Sequence, residues 1–124
     1  MKEIPTQHQE ARTAFGREVK AAREARRLSQ EQLADAMAEA GHSTHPTTIH
    51  KIEAGQRPTP LEEILTLAAV LEVPAADLLS PGGTRGARLR KLRTDLAQTE
   101  RLINGQQLVA ERLRRKIAEL EEEN

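Results

Sequence analysis

Apolar side chains recur every three or four positions in several stretches between residues 13 and 79, and this spacing predicts amphipathic helices. Each such helix is expected to bury its apolar stripe and to leave its charged residues in solvent. Residues 1–12 show no sustained period and are interpreted as a flexible N-terminal arm. The residues predicted to face inward are Phe15, Val19, Ala22, Leu33, Ala34, Met37, Ile49, Ile52, Leu61, Ile64, Leu65, Ala68 and Leu78.

Residues that suit helix termini mark the second and third predicted helices. Ser29 is placed to cap the second helix, and Gln32 stands at the spacing of a capping box. Pro46 suits the first position of the third helix, where its missing amide costs nothing. Gly55 supplies a left-handed stop after that helix. We therefore predict two short helices joined by a turn between Leu28 and Gly55.

A breaker-rich stretch follows the fourth and fifth predicted helices, so the globular part is expected to end near Leu79. The sequence predicts a linker over residues 80–85 and a coiled-coil dimerisation helix over residues 86–124. When Leu89 is taken as position a of a heptad, seven of the ten a and d positions hold Leu or Ile. These predicted dimerisation residues are Leu89, Leu92, Leu96, Ile103, Leu113, Ile117 and Leu120.

The centre of this segment leaves two arrangements open. Thr99, Gln106 and Ala110 occupy a and d positions but are polar or small, so they would contribute little to a coiled-coil core. They lie beside Asn104 and Gly105. A continuous helix with a soft centre and a helical hairpin that turns at Asn104-Gly105 both explain this pattern. We favour the continuous helix because the heptad frame is kept across the glycine, which costs a helix only about 1 kcal/mol.

Flanking charges favour one orientation for a pair of such helices. In a parallel pair Arg88 would face Arg93 and Asp95 would face Glu100, and both pairs repel. In an antiparallel pair Arg93 meets Glu121 and the other flanking charges are complementary, although the hairpin would form the same contacts within one chain. The sequence therefore predicts an antiparallel homodimer. With a rise of about 1.5 Å per residue, its two linkers would lie on the order of 60 Å apart.

Composition narrows the class of protein further. The chain has 124 residues, 19 basic and 19 acidic side chains, and no cysteine, so disulfides and thiolate metal sites are excluded. No apolar run approaches the roughly 18 residues that a membrane span requires, and the first residues lack a signal-peptide core. No nucleophile stands with a base and an orienting partner, as an enzyme would need. We therefore predict a cytoplasmic protein that is not an enzyme, has no cofactor and contacts no membrane.

Several ordered segments carry a resemblance to a known family. They are FGREVKAAREARR, LSQEQLA, TTIHKIEAG and LEEILTLAAVLEVPAADLL, which together cover about residues 15–79. This order resembles the helix-turn-helix of the phage lambda repressor and Cro type, also called the xenobiotic response element (XRE) family. The resemblance implies an all-α fold, with a five-helix repressor-type domain over residues 13–79 before the coiled-coil helix. One departure is the loop AEAGHST, which is longer than the compact turn of the phage proteins.

The same resemblance implies a function. It predicts sequence-specific binding of double-stranded DNA by a dimeric transcriptional regulator, with a repressor at a palindromic operator as the expected role. It also matches Arg23 and Glu53 to an ion pair between the first and third helices, the alternative being a solvated surface arginine. The alternative function is an antitoxin-like or adaptor protein-interaction module that uses the coiled coil and binds DNA only weakly.

The resemblance also assigns residues to the DNA interface. Gln30 is matched to a backbone phosphate, and residues 45–54 are matched to the recognition helix in the major groove. There Thr47 can present a hydroxyl or a methyl group to a base, and Lys51 suits guanine. Arg57 is matched to a phosphate, although a solvated turn residue is an equal alternative. The predicted DNA-binding residues are Gln30, His45, Pro46, Thr47, Thr48, His50, Lys51 and Arg57.

Two features argue against this assignment. Residues 1–83 hold nine basic and twelve acidic side chains, a net charge of −3, so DNA affinity would have to come from clustered charge and dimerisation. His42, His45 and His50 are close enough in sequence to suggest a metal ion. Because no cysteine or carboxylate stands at ligand spacing, no metal site is predicted.

Overall fold

The computed structural model describes residues 4–123, and the regular elements in this range are all helices, which confirms the predicted all-α fold. The chain divides into two units, Met1–Arg88 and Leu89–Asn124. Within the described residues, no helix is long and apolar enough to cross a bilayer. The helices are α1 (Ile4–Ala25), α2 (Gln30–Glu39), α3 (Pro46–Glu53), α4 (Leu61–Leu71), α5 (Ala75–Leu79) and α6 (Gly83–Glu122).

The first helix is longer than the sequence predicts. Residues 4–12 continue α1 without a break, so the predicted flexible arm is wrong for them, and residues 1–3 lie outside the described part of the chain. One reason lies in Gln9, whose side-chain amide donates hydrogen bonds to the Gly55 carbonyl oxygen at 3.0 Å and to the Thr13 hydroxyl at 3.2 Å. Pro5 does not oppose the extra turns, because a helix tolerates proline in its first turn.

The core of the first unit is aliphatic, with Phe15 as its one aromatic side chain among the buried residues. The predicted inward residues of α1, α2, α3 and α5 are buried. On α4 the prediction is wrong for Leu61 and Leu65, which are 64% and 53% exposed, while Leu67 and Leu71 are buried. Apolar residues surround most of α4, so its sequence is compatible with more than one inward face.

α1 lies unusually close to α3. A Cβ added at Gly16 would overlap the backbone carbonyl oxygen of Ile52 and would lie 2.6 Å from that of Glu53. Only glycine allows two helix backbones to approach this closely at the crossing. The position of Gly16 therefore sets how tightly the third helix is held against the first.

The start of α6 is tied to α1 by the buried pair Glu18 and Thr84. The Glu18 carboxylate accepts hydrogen bonds from the backbone N–H groups of Gly82 at 3.1 Å and Thr84 at 2.9 Å. These N–H groups have no partner within α6, so Glu18 acts as a cap from a distant helix. The predicted linker over residues 80–85 is therefore shorter, because α6 already begins at Gly83.

α6 crosses Asn104 and Gly105 without interruption, so the chain forms the continuous helix and not the hairpin. Its seven Leu and Ile side chains at the a and d positions are exposed in this single chain. The α6 stripe, as we call the predicted dimerisation residues, consists of Leu89, Leu92, Leu96, Ile103, Leu113, Ile117 and Leu120.

Candidate nucleic-acid interface

α3 buries one side and presents the other to solvent. Ile49 and Ile52 are almost fully buried in the core. Thr47, His50 and Lys51, which lie three and four residues apart, are exposed and share the opposite side of the helix. We call these three residues the outer face of α3. It carries a lysine and no carboxylate, so its charge suits a polyanion even though residues 1–83 have a net charge of −3.

His45 caps the N-terminus of α3. Its Nδ1 accepts a hydrogen bond from the backbone N–H of Thr47 at 3.1 Å and lies 3.0 Å from the Thr47 hydroxyl. Because Nδ1 accepts, the proton of the neutral imidazole lies on Nε2. The sequence predicts a DNA contact for His45 and does not identify its capping role, although the position before a proline at a helix start is a capping position.

A buried ion pair holds α3 to α1 and confirms the predicted partnership of Arg23 and Glu53. Arg23 Nε donates to Glu53 Oε2 at 2.7 Å, and Nη2 donates to Oε1 at 3.0 Å. Arg23 Nη1 also donates to the Leu28 carbonyl oxygen at 2.7 Å, while the Glu53 side chain is only 4% exposed. The hydrogen bonds and negative charge of Glu53 raise the pKa of Arg23, more than burial lowers it.

Gln30 belongs to this same network. Its side-chain amide donates to Glu53 Oε1 at 3.1 Å, so the start of α2 is linked to the last turn of α3. Gln30 is half-buried, and its predicted phosphate contact stays a prediction. The hydrogen bond to Glu53 is a contact that the sequence does not reveal, since the two residues lie 23 positions apart.

Arg57 is not a solvated turn residue. Its Nη1 donates to Glu63 Oε1 at 2.9 Å, and His42 Nε2 lies 3.0 Å from Glu63 Oε2. The Glu63 side chain is 6% exposed, whereas the other two are 30% exposed. The sequence identifies Arg57 as a candidate and does not identify Glu63 or the partnership with His42.

The structure thus divides the eight predicted interface residues into two groups. His45 and the three residues of the outer face of α3 are exposed, while Gln30, Pro46, Thr48 and Arg57 are half-buried. Among residues 4–123, no three His, Cys, Asp or Glu side chains form a group that could hold a metal ion.

Comparison with known proteins identifies the family. A profile of the family described as "Helix-turn-helix domain" matches residues 14–80, more than half of the chain. The chain is similar to the restriction-modification controller protein C.AhdI from Aeromonas hydrophila, with 32% identity and a TM-score of 0.50 over 57% of this chain and 96% of that chain. It is also similar to the hypothetical transcription factor NHTF from Neisseria, with 27% identity and a TM-score of 0.54 over 63% and 84% of the two chains.

A third solved structure shares the fold alone. The clp gene regulator ClgR from Corynebacterium glutamicum has 23% identity and a TM-score of 0.51 over 72% of this chain and 88% of that chain. No curated protein sequence matches the chain. The profile match covers α1 from residue 14 onward and the whole of α2 to α5, and it includes the outer face of α3. The chain therefore belongs to the XRE-type helix-turn-helix family of DNA-binding transcriptional regulators.

Proposed function

We propose that this protein is a homodimeric transcriptional repressor that binds a palindromic operator in double-stranded DNA through α3. The observation that carries the proposal is the outer face of α3, where Thr47, His50 and Lys51 are exposed on a helix whose other side is buried. Such a helix can enter a major groove and present hydrogen-bonding groups to base edges. Similarity to a restriction-modification controller protein and to a hypothetical transcription factor supports a regulatory role.

Each residue of the interface has a chemistry that fits one part of this task. Lys51 suits the O6 and N7 atoms of guanine, and Thr47 can offer its hydroxyl or its methyl group to a base. His45 uses Nδ1 for the helix cap, so its Nε2–H is the group it can donate to DNA. Arg57 has donors beyond the one that binds Glu63, and these suit a phosphate beside the groove.

The remaining predicted residues can add contacts at the edge of the DNA interface. Pro46 can offer only apolar contact and Thr48 a hydroxyl, and both are half-buried at the start of α3. The side-chain amide of Gln30 uses one of its two hydrogens to bond Glu53. Its second amide hydrogen is available to donate to a phosphate. We expect His50 to make a polar contact from the outer face of α3.

The α6 stripe supports dimerisation, because a lone helix would leave these side chains in water. Residues 85–93 hold five basic and no acidic side chains, while residues 117–123 hold four acidic and no basic ones. This distribution opposes the dipole of a single helix, which favours acids at its start and bases at its end. An antiparallel partner places the acidic end of one helix beside the basic start of the other and so relieves the conflict.

A protein-interaction module is the second candidate function, and the exposed α6 stripe is the observation that favours it. An antitoxin-like or adaptor protein would use the stripe to bind a different chain. It would then bind DNA weakly and without sequence preference, consistent with the acidic balance of residues 1–83.

Selection of duplexes from a random pool by the full chain distinguishes the two functions. We expect enrichment of an inverted repeat whose half-sites lie about two helical turns apart. The reason is that the two linkers of the antiparallel dimer would lie on the order of 60 Å apart, close to the length of two turns of B-DNA. In a mobility-shift assay at fixed salt, the enriched duplex should bind at least about a thousand-fold more tightly than a scrambled duplex of equal length. Recovery of no enriched sequence would overturn the proposal and favour the interaction module.

A further inference from the structure

We infer that Glu63 on α4 is a positioning residue for DNA recognition, because its carboxylate fastens the chain segments on both sides of α3. The inference rests on the proposed function, in which α3 reads the operator. Glu63 itself contacts no DNA in this scheme, and it acts through His42 and Arg57. We call these three residues the Glu63 brace.

The geometry of the brace uses both oxygens of one buried carboxylate. Oε1 accepts a hydrogen bond from Arg57 Nη1 at 2.9 Å, and Oε2 lies 3.0 Å from His42 Nε2. The Glu63 side chain is 6% exposed, so solvent screens these contacts little. Since a buried carboxylate is costly without partners, the two side chains are held to it strongly.

The two partners of Glu63 stand on opposite sides of α3 in the chain. His42 lies in the loop before the helix, three residues ahead of the capping residue His45. Arg57 follows Gly55, the left-handed residue after the end of the helix. Glu63 therefore joins the segment that leads into α3 to the segment that leaves it.

This connection matters because α3 has few other anchors. It is eight residues long and buries only Ile49 and Ile52. The ion pair between Arg23 and Glu53 fastens its last turn to α1, and no equivalent contact of the described residues fastens its first residues. The loop before it is long, and the contact between His42 and Glu63 holds this loop to α4.

A small displacement of α3 has a large effect on base recognition but a small effect on nonspecific binding. Hydrogen bonds to base edges require donors placed to within a few tenths of an ångström, roughly 0.5 Å. Attraction to phosphates is far less sensitive to position, because it depends on the charges that approach the backbone. Loss of the Glu63 carboxylate also removes the negative charge that faces Arg57. We therefore expect a selective loss of specific binding.

The test uses the full chain with Glu63→Gln and, as a matched control, Glu62→Gln. Glu62 is the neighbouring residue on α4, is exposed, and loses the same charge in this substitution. Affinities are measured at one salt concentration for the selected operator and for a scrambled duplex. We expect Glu63→Gln to weaken operator binding at least about ten-fold while its nonspecific affinity stays equal or rises, and Glu62→Gln to change neither by more than about two-fold.

An equal loss of operator and nonspecific binding in Glu63→Gln would show a merely structural role and overturn the inference, as would operator binding equal to that of Glu62→Gln. If Glu63→Gln does not fold, His42→Ala serves instead, because it removes the imidazole that contacts Glu63 Oε2 and leaves the bond between Glu63 and Arg57. The same selective loss is then expected, and its absence overturns the inference.

A measurement without DNA separates this inference from the proposed function. Hydrogen exchange of the free protein should show faster exchange at Thr48 and Ile49 in Glu63→Gln than in Glu62→Gln, because their N–H groups bond to His45 at the start of α3. Unchanged exchange would overturn the brace even if the operator is found. Faster exchange in a protein that selects no operator would support the brace and reject the proposed function.

Discussion

Arg23 and Glu53 join the first and third helices through two parallel hydrogen bonds, 2.7 Å and 3.0 Å long. The side chains are 11% and 4% exposed, so each charge depends on the other for its compensation. The carboxylate also accepts the amide of Gln30, which brings α1, α2 and α3 to a single buried charge. The orientation of α3 is therefore an outcome of charge pairing as well as of apolar packing.

We expect Glu53→Gln to lower the free energy of unfolding by about 3 kcal/mol, because it leaves the Arg23 charge buried without its counter-ion. Urea denaturation measures this loss, with Glu39→Gln at the exposed end of α2 as the control. Since the pKa of Arg23 is raised on folding, its contribution is complete at neutral pH and is lost only in strong alkali. An unfolding midpoint equal to that of the wild type would contradict the structural role of the pair.

We expect Lys51→Ala and Thr47→Ala each to weaken operator binding by about 1 to 3 kcal/mol without unfolding the protein, because both side chains are exposed on the outer face of α3. Competition binding at matched salt measures the effect, and circular dichroism checks the fold. Lys20→Ala removes an exposed lysine from α1 and serves as the control for lost charge. Wild-type affinity in both α3 variants would show that another surface reads the operator.

Two glycine substitutions should change stability in opposite directions. Gly16→Ala places a Cβ against the backbone carbonyl oxygens of Ile52 and Glu53, which cannot move without shifting α3, so we expect a loss of about 2 kcal/mol. Gly105→Ala has no atom within 4 Å of the added Cβ and should stabilise α6 by about 1 kcal/mol. Thermal unfolding compares the two variants. Equal stability of Gly16→Ala and wild type would show that α1 and α3 are not held at this close approach.

Spin labels on single cysteines should establish how α6 pairs, and the absence of native cysteine makes each label unique. In the antiparallel dimer we expect labels at position 90 to lie on the order of 50 Å apart, because each lies about 16 residues from the centre of the pair and the helix rises about 1.5 Å per residue. Labels at position 104 are the control, since this position lies near the centre and should be close to its partner in either orientation. A short distance at position 90 would show a parallel dimer, and no dipolar coupling at position 104 would show a monomer.

Local signals in the sequence were sufficient to predict several features of individual helices. The capping box of Ser29 and Gln32 and the left-handed Gly55 occur as predicted, because a cap depends on residues within one turn of the helix end. The buried residues of α2 and α3 also follow from spacing, since each helix has one clear apolar stripe. The heptads of α6 favoured a continuous helix across Asn104 and Gly105, and that helix is present.

Contacts between distant parts of the chain accompany the features that the local sequence pattern did not predict. The early start of α1 is accompanied by a contact from Gln9 to Gly55, 46 residues away. The inward face of α4 includes the buried Glu63, whose carboxylate contacts Arg57 and His42. The partnership of Glu63 with His42 spans 21 residues and has no signature in either segment. A charged side chain enters the interior only where the folded chain supplies its counter-charge, so its position depends on residues that local periodicity does not connect.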